Sequence, residues 1–284
     1  MTIGIRASTH LLPVLAPIRD ERGPSRVVGE RMHRHLMIKE VVMTAVSSRP
    51  ATNVGVDPTV GFRRVTGALA LPVAFTCQLV CNATYAVASA GNAGDGGTGE
   101  QSLELYASNA SAMVFATAFA LIGCLLTVPG VLAALRMLRT SKPRLALWAA
   151  VLMVAGYIAY FGLNVTNFDS LALAQSDLPR AAAGGVLDAA QENPAAMPVF
   201  FLFVVGNLVG TLLLGLAIVL GGRRAGVHWW AGLLVMGWTV GHVINIIGGG
   251  EWFAVAGGAL EVIGLAIVAV AALRMPNAEW SQRG

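Results

Sequence analysis

"FATAFALIGCLLTVPGVLAALRMLRTSKPRLALWAAVLMVAGYIAYFGLN", residues 115–164, places two uncharged runs on either side of Arg136, Arg139, Lys142 and Arg144. The hydrocarbon core of a bilayer is about 30 Å thick, so roughly 20 apolar residues of helix cross it. Each run is long enough, and the basic segment between them is short. The stretch therefore reads as two membrane-crossing helices joined by a tight turn.

The same reading extends over most of the chain. Of 284 residues, 56% are hydrophobic and only 12% charged, with a mean hydropathy of +0.68; an average soluble domain carries about twice that share of charge. Six runs qualify as spans: 66–89, 112–135, 145–165, 197–220, 227–247 and 252–273. The expected fold class is an all-α, polytopic integral membrane protein with six transmembrane helices. Its expected parts are an N-terminal segment (1–62), the helical domain (63–275) and a short tail (276–284).

Charge orders the connections. Arg63, Arg64, Arg136, Arg139, Lys142, Arg144, Arg223, Arg224, Arg274 and Arg283 gather at one end of the spans. The other end holds Asp95, Glu100, Glu104, Asp169, Asp177, Asp188, Glu192 and Glu251, with Arg180 its lone cation. Lys and Arg collect on the cytoplasmic side, so both termini are expected in the cytoplasm of a cell whose plasma membrane holds the protein. The acidic, Gly-rich connections read as solvated connectors or a lid, with a short interfacial helix around 178–191.

The net charge of +4 lies mostly beside hydrophobic runs and gives no nucleic-acid footprint. The bilayer is the partner composition implies; a small-molecule or proton ligand is compatible, and a protein partner or homo-oligomer is left open. Arg outnumbers Lys by 17 to 2 and Ala, Gly and Val abound, which points to a high-GC bacterial source. Cys77, Cys81 and Cys124 lie within apolar runs and read as small core residues.

Lys39, Glu40 and Val41 can be encoded by a ribosome-binding sequence just upstream of the Met43 codon. That predicts a translation start at Met43, with 43–62 a short polar tail; a basic amphipathic anchor around 26–42 is the alternative.

Internal echoes suggest a helical-hairpin repeat. "WAAVLMVAGYIAYFGLN" (148–164) aligns without a gap on "WWAGLLVMGWTVGHVIN" (229–245), pairing Trp148 with Trp229, Gly156 with Gly237, Tyr157 with Trp238 and Asn164 with Asn245. Residues 115–137 and 253–275 both end in AALRM. The repeat would pair spans two with three, four with five, and six with one.

Glu261 is the single acidic residue inside a predicted span. A carboxylate there costs about 2.5 to 3.5 kcal/mol on insertion scales, so it is either protonated or partnered. Thr239 falls at nearly the same depth on the adjoining span, His242 a turn further, and Asn245 beyond it. With Asn207 they form the candidate ligand- or proton-binding set in the half of the bilayer nearer the acidic end. The competing reading makes Glu261 a neutral hydrogen-bonding contact to Thr239, His242 or Asn207. Gln78, Asn82, Asn164, Tyr157 and Tyr160 read mainly as packing and hydrogen-bonding residues; Thr211 is a further polar residue in the fourth span. Trp229, Trp230 and Trp252 read as interface anchors.

Several chemistries lack their parts. A transmembrane bis-histidine haem needs a second histidine at the depth of His242. The sequence has no HExxH, no second carboxylate beside Glu261 and no nucleotide-binding glycine motif. No catalytic residue, metal ligand or cofactor is expected, and the reading leans away from an enzyme.

The segment "LLTVPGVLAALRMLRTSKPRLALWAAVLMVAGY", with VPG before an Arg-rich loop, resembles uncharacterised six-span membrane proteins of high-GC Gram-positive bacteria. The resemblance covers about 63–275 and implies fold and membrane location, with no activity to carry over. Two functions follow as expectations: small-solute or proton-coupled binding and transport through a polar pocket at Glu261, or a non-catalytic accessory, partner-binding subunit.

Overall fold

The computed structural model describes residues 57–90 and 97–283. The start at Met43, the anchor at 26–42 and the tail as far as residue 56 lie outside the described residues. From Pro58 onward the chain is one unit, helical with no strand among the described residues. Six helices are long and apolar enough to cross a membrane.

The helices in chain order are α1 (Val60–Ser89), α2 (Gly99–Ser108), α3 (Ala110–Leu138), α4 (Pro143–Ala174), α5 (Arg180–Gln191), α6 (Met197–Gly221), α7 (Trp230–Ile244), α8 (Glu251–Arg274) and α9 (Asn277–Gln282). The spanning ones are α1, α3, α4, α6, α7 and α8. Each packs on the next in that order, and α8 returns to α1, closing a ring of six. Leu71, Phe75, Met153, Tyr157, Leu214, Leu265 and Glu261 are among its fully buried side chains.

Lipid offers no hydrophobic drive between helices, so close backbone approach must hold the ring. Glycine provides it. A Cβ on Gly130 of α3 would lie 2.7 Å from the Leu71 backbone of α1. One on Gly156 of α4 would lie 2.8 Å from Gly206 of α6, and one on Gly257 of α8 2.6 Å from the Gly237 carbonyl of α7. The most extensive contacts are thus α1 with α3, α4 with α6 and α7 with α8, pairs joined across the acidic end. The sequence echoes suggested pairs joined by the basic loops; the aligned Gly156 and Gly237 instead each sit in one of these tighter interfaces.

Two connections differ from expectation. The helix predicted at 145–165 runs on to Ala174, because Asp169 ends an apolar run but not a helix. At about 1.5 Å per residue α4 is about 48 Å long, well over the bilayer core. Its projecting end supports α2, which packs on α4 and α5. The acidic segments are therefore a docked cap, not free connectors. Thr98 and Gln101 form a capping box at the start of α2, and the Gly99 N–H donates to Asp188 Oδ1 of α5 at 2.6 Å. Leu103 is completely buried against Ala174 and Ala183. Burial also pushes the Tyr106 phenol up to about 12.

At the arginine-rich end the tail is likewise ordered. Trp280 of α9 is buried, with the Arg136 guanidinium 5.1 Å over its ring. Arg64 of α1 donates to the carbonyls of Ala272, Leu273 and Met275, and to Asn277 Oδ1 at 3.0 Å. Helix C-termini leave such carbonyls unpaired, so this one side chain both caps α8 and closes the ring. Arg64→Gln is expected to cost about 1 to 2 kcal/mol and lower the melting temperature in detergent, while Arg139→Gln leaves it unchanged. Equal melting of the two variants would remove Arg64 from the closure.

Candidate functional site

Glu261 lies ten residues into α8, about 15 Å along its axis and near its midpoint. Gly257, Gly258 and Gly264 flank it on the buried face. The side chain is 1% exposed, and it makes no hydrogen bond or ion pair among the described residues; Oε1 is fully buried without a partner. None of the three contacts of the structural reading, to Thr239, His242 or Asn207, is made.

Each of the other predicted residues is occupied elsewhere or set apart. Thr239 Oγ1 donates to the Leu208 carbonyl of α6 at 3.0 Å. Asn245 Nδ2 donates to Glu251 Oε1 at 3.1 Å, in the turn where Gly248 and Gly250 take φ of 109° and 89°. That turn needs glycine at both places. Asn207, 3% exposed, accepts from Trp238 Nε1. The His242 ring lies tilted against Trp238, centres 3.7 Å apart and planes 39° apart, and its Nδ1 has no partner among the described residues.

Trp238 therefore organises this side of the interior. Its indole N–H donates to Asn207 of α6, its ring lies tilted against His242 of its own helix, and it packs against Gly258 of α8, where a Cβ would come within 3.3 Å of the ring. A larger residue at position 258 would displace it. Trp238→Phe keeps the ring but leaves the buried Asn207 oxygen unpaired, at an expected cost of about 1 to 2 kcal/mol. In a double-mutant cycle with Asn207→Leu the two losses should fall short of additivity; additive losses in detergent melting would show that the bond contributes nothing.

Tyr157 of α4 completes the cluster. It is 1% exposed and stands edge-on to Phe75 of α1 at 5.6 Å. Its hydroxyl has no hydrogen-bond partner, nor has the wholly buried Thr211 Oγ1, one turn from Asn207 on α6. Three helices thus contribute a buried oxygen without a partner: Tyr157, Thr211 and Glu261. Such groups are rare in folded proteins and call for an explanation. From the sequence Tyr157 reads as a packing residue, and Thr211 and Trp238 carry no role in the site. The available signal was the gapless echo that pairs Tyr157 with Trp238.

Asn82 Nδ2 is also buried without a partner among the described residues, whereas other polar groups in the spans are bonded. Gln78 Nε2 of α1 donates to the Ala120 carbonyl of α3 at 3.1 Å, and Asn164 donates to the Tyr160 carbonyl one turn back at 2.9 Å. The three cysteines are free and buried. Among the described residues no three His, Cys, Asp or Glu side chains come together as a metal site. In comparisons with known proteins the chain matches no family model, no curated protein and no solved structure.

Proposed function

We propose that this is a plasma-membrane protein, with its arginine-rich end and both termini in the cytoplasm, that binds a proton or a small cationic solute at Glu261 and couples the two. The observation that carries this reading is a carboxyl group in the middle of a spanning helix with no hydrogen-bond partner among the described residues, in an interior where the Tyr157 and Thr211 hydroxyls are also buried without one. A lone carboxylate in such surroundings costs several kcal/mol. The resting group is then the neutral acid, and a cation that reaches it displaces the proton. Tyr157 and Thr211 would supply neutral oxygens to the same ligand, while Trp238 holds Asn207 in place. Interhelical glue would leave fewer polar atoms without partners.

The sealed interior, with Glu261 at 1% exposure, supports the alternative of an accessory subunit whose polar core never opens. One experiment separates the two. The wild type and Glu261→Gln are melted in detergent from about pH 5 to about pH 8. Gln keeps the shape and removes the titrating proton. The proposal expects a pH-dependent melting temperature in the wild type and a flat profile in the variant. Parallel profiles would overturn it in favour of the accessory subunit.

A further inference from the structure

At the arginine-rich end, α6 leads into a single turn of 3₁₀ helix, Gly222–Ala225, which carries Arg223 and Arg224 side by side. Gly226, at a φ of 77°, turns the chain back beneath it. This turn, His228, the end of α8 and the start of α9 enclose an open groove of about 470 Å³, within the size range of small-molecule sites. Arg274, the last residue of α8, lines it with Arg223 and Arg224.

The groove's fourth guanidinium, Arg283, is engaged. It bonds the Met137 carbonyl at 2.8 Å and pairs with Glu279 at 2.7 Å. Arg223, Arg224 and Arg274 are exposed and have no hydrogen-bond or ion-pair partner among the described residues. Nor is Arg274 required to cap its own helix, because Arg64 already holds the carbonyls there. Three unneutralised guanidiniums from two segments thus converge on one concavity. Its side wall is apolar: Ile267, Val270 and Ala271 of α8 continue from the charged floor into the spanning region. Val270 is 43% exposed, and Ile263 one to two turns further along is 52% exposed.

We propose that this groove binds the phosphate headgroup of an anionic phospholipid, with the acyl chains lying along the Ile263, Ile267 and Val270 face. Guanidinium groups match phosphate oxygens in pairs, and basic pockets between spanning helices suit such headgroups. A soluble phosphate would meet the same cations but leave the apolar wall uncovered. General attraction of basic loops to a bilayer also accounts for arginines at this end, but not for their concentration in a groove. Arg139, Lys142 and Arg144 occupy the same end outside the groove and serve as a control of equal charge.

The test uses the full chain in a neutral detergent, titrated with phosphatidylglycerol, phosphatidylcholine or sodium phosphate, with the melting temperature as readout. Phosphatidylglycerol is expected to raise it saturably, and phosphatidylcholine is not. A neutral detergent presents no anionic surface, so only an arginine that reaches the bound headgroup contributes, roughly a fivefold factor each. Replacing Arg223, Arg224 and Arg274 together by Gln should therefore shift the midpoint about a hundredfold, against less than threefold for the Gln triple at Arg139, Lys142 and Arg144. Equal shifts in the two triples would overturn the site and leave only surface charge. Protection by sodium phosphate as strong as that by phosphatidylglycerol would overturn the lipid assignment. If the groove triple fails to melt cooperatively, Arg274→Gln alone carries the comparison, with a shift of about fivefold expected and none overturning the proposal.

Discussion

Gly206→Leu is expected to abolish the folded protein, while Gly162→Leu, on the neighbouring helix α4, leaves it intact. The contrast follows from where the glycines sit. A Cβ on Gly206 would stand 2.5 Å from Gly156 Cα and from the Leu152 carbonyl, both backbone atoms of α4. Backbone does not yield as a side-chain tip does, so α4 and α6 must part. Overpacking usually costs about 1 to 3 kcal/mol, but forcing a leucine between two backbones also separates the adjoining contacts of Gly210 and Met153. The loss should exceed about 4 kcal/mol, in the range where single substitutions unfold proteins of marginal stability. Gly162 has nothing within 4 Å of its Cβ position. Leucine there should instead stabilise by about 0.5 to 1 kcal/mol through helix propensity. Monodispersity and melting in detergent read both variants. A folded, normally melting Gly206→Leu protein would show that the α4 to α6 contact does not hold the ring.

How much of this could be seen in the sequence depends on the range of the interaction. The six spans are legible because length and apolar content are local properties, and the segregation of arginines is visible without any fold. The cap is not. Neither α2 nor α5 has an apolar run of its own, and their docking depends on the Gly99 to Asp188 bond and on Leu103 meeting Ala174 and Ala183. These contacts join segments some 70 to 90 positions apart. The overhang of α4 was hidden for a related reason: one aspartate stops a hydropathy window, whereas the helix goes on where other helices cover it.

The site divides along the same line. Glu261 stands out because a carboxyl in an apolar run is rare, and this can be judged one residue at a time. Thr239 and Asn245 were selected by depth along the adjoining span, but depth does not fix direction around a helix. Adjacent positions differ by about 100°; Trp238 therefore reaches Asn207, whereas Thr239 reaches the Leu208 carbonyl. Tyr157, Thr211 and Glu261 stand on three different helices, and that their oxygens are all buried without a partner among the described residues depends on ring closure. Periodicity within one helix could not have supplied it.

Glu261→Met is expected to make the protein more stable, which separates a functional carboxyl from a structural one more sharply than any loss would. Met fills a similar volume, adapts to the surrounding shape and brings no polar atom to an interior that offers Glu261 no partner. Burying an unpaired polar group costs about 1 to 3 kcal/mol on protein scales. Removing it should therefore return about 1 to 3 kcal/mol, less any strain from the flanking Gly257, Gly258 and Gly264 contacts. The same substitution eliminates the group that would exchange a proton for a cation, so a pH-dependent melting profile should disappear along with the penalty. Stability gained while a titration is lost is the pattern of a residue kept for activity against its folding cost. If Glu261→Met instead melts several degrees lower, the carboxyl contributes to holding α8 in the ring, and the accessory-subunit reading takes precedence. The two outcomes have opposite signs, so the direction of the shift alone decides between them.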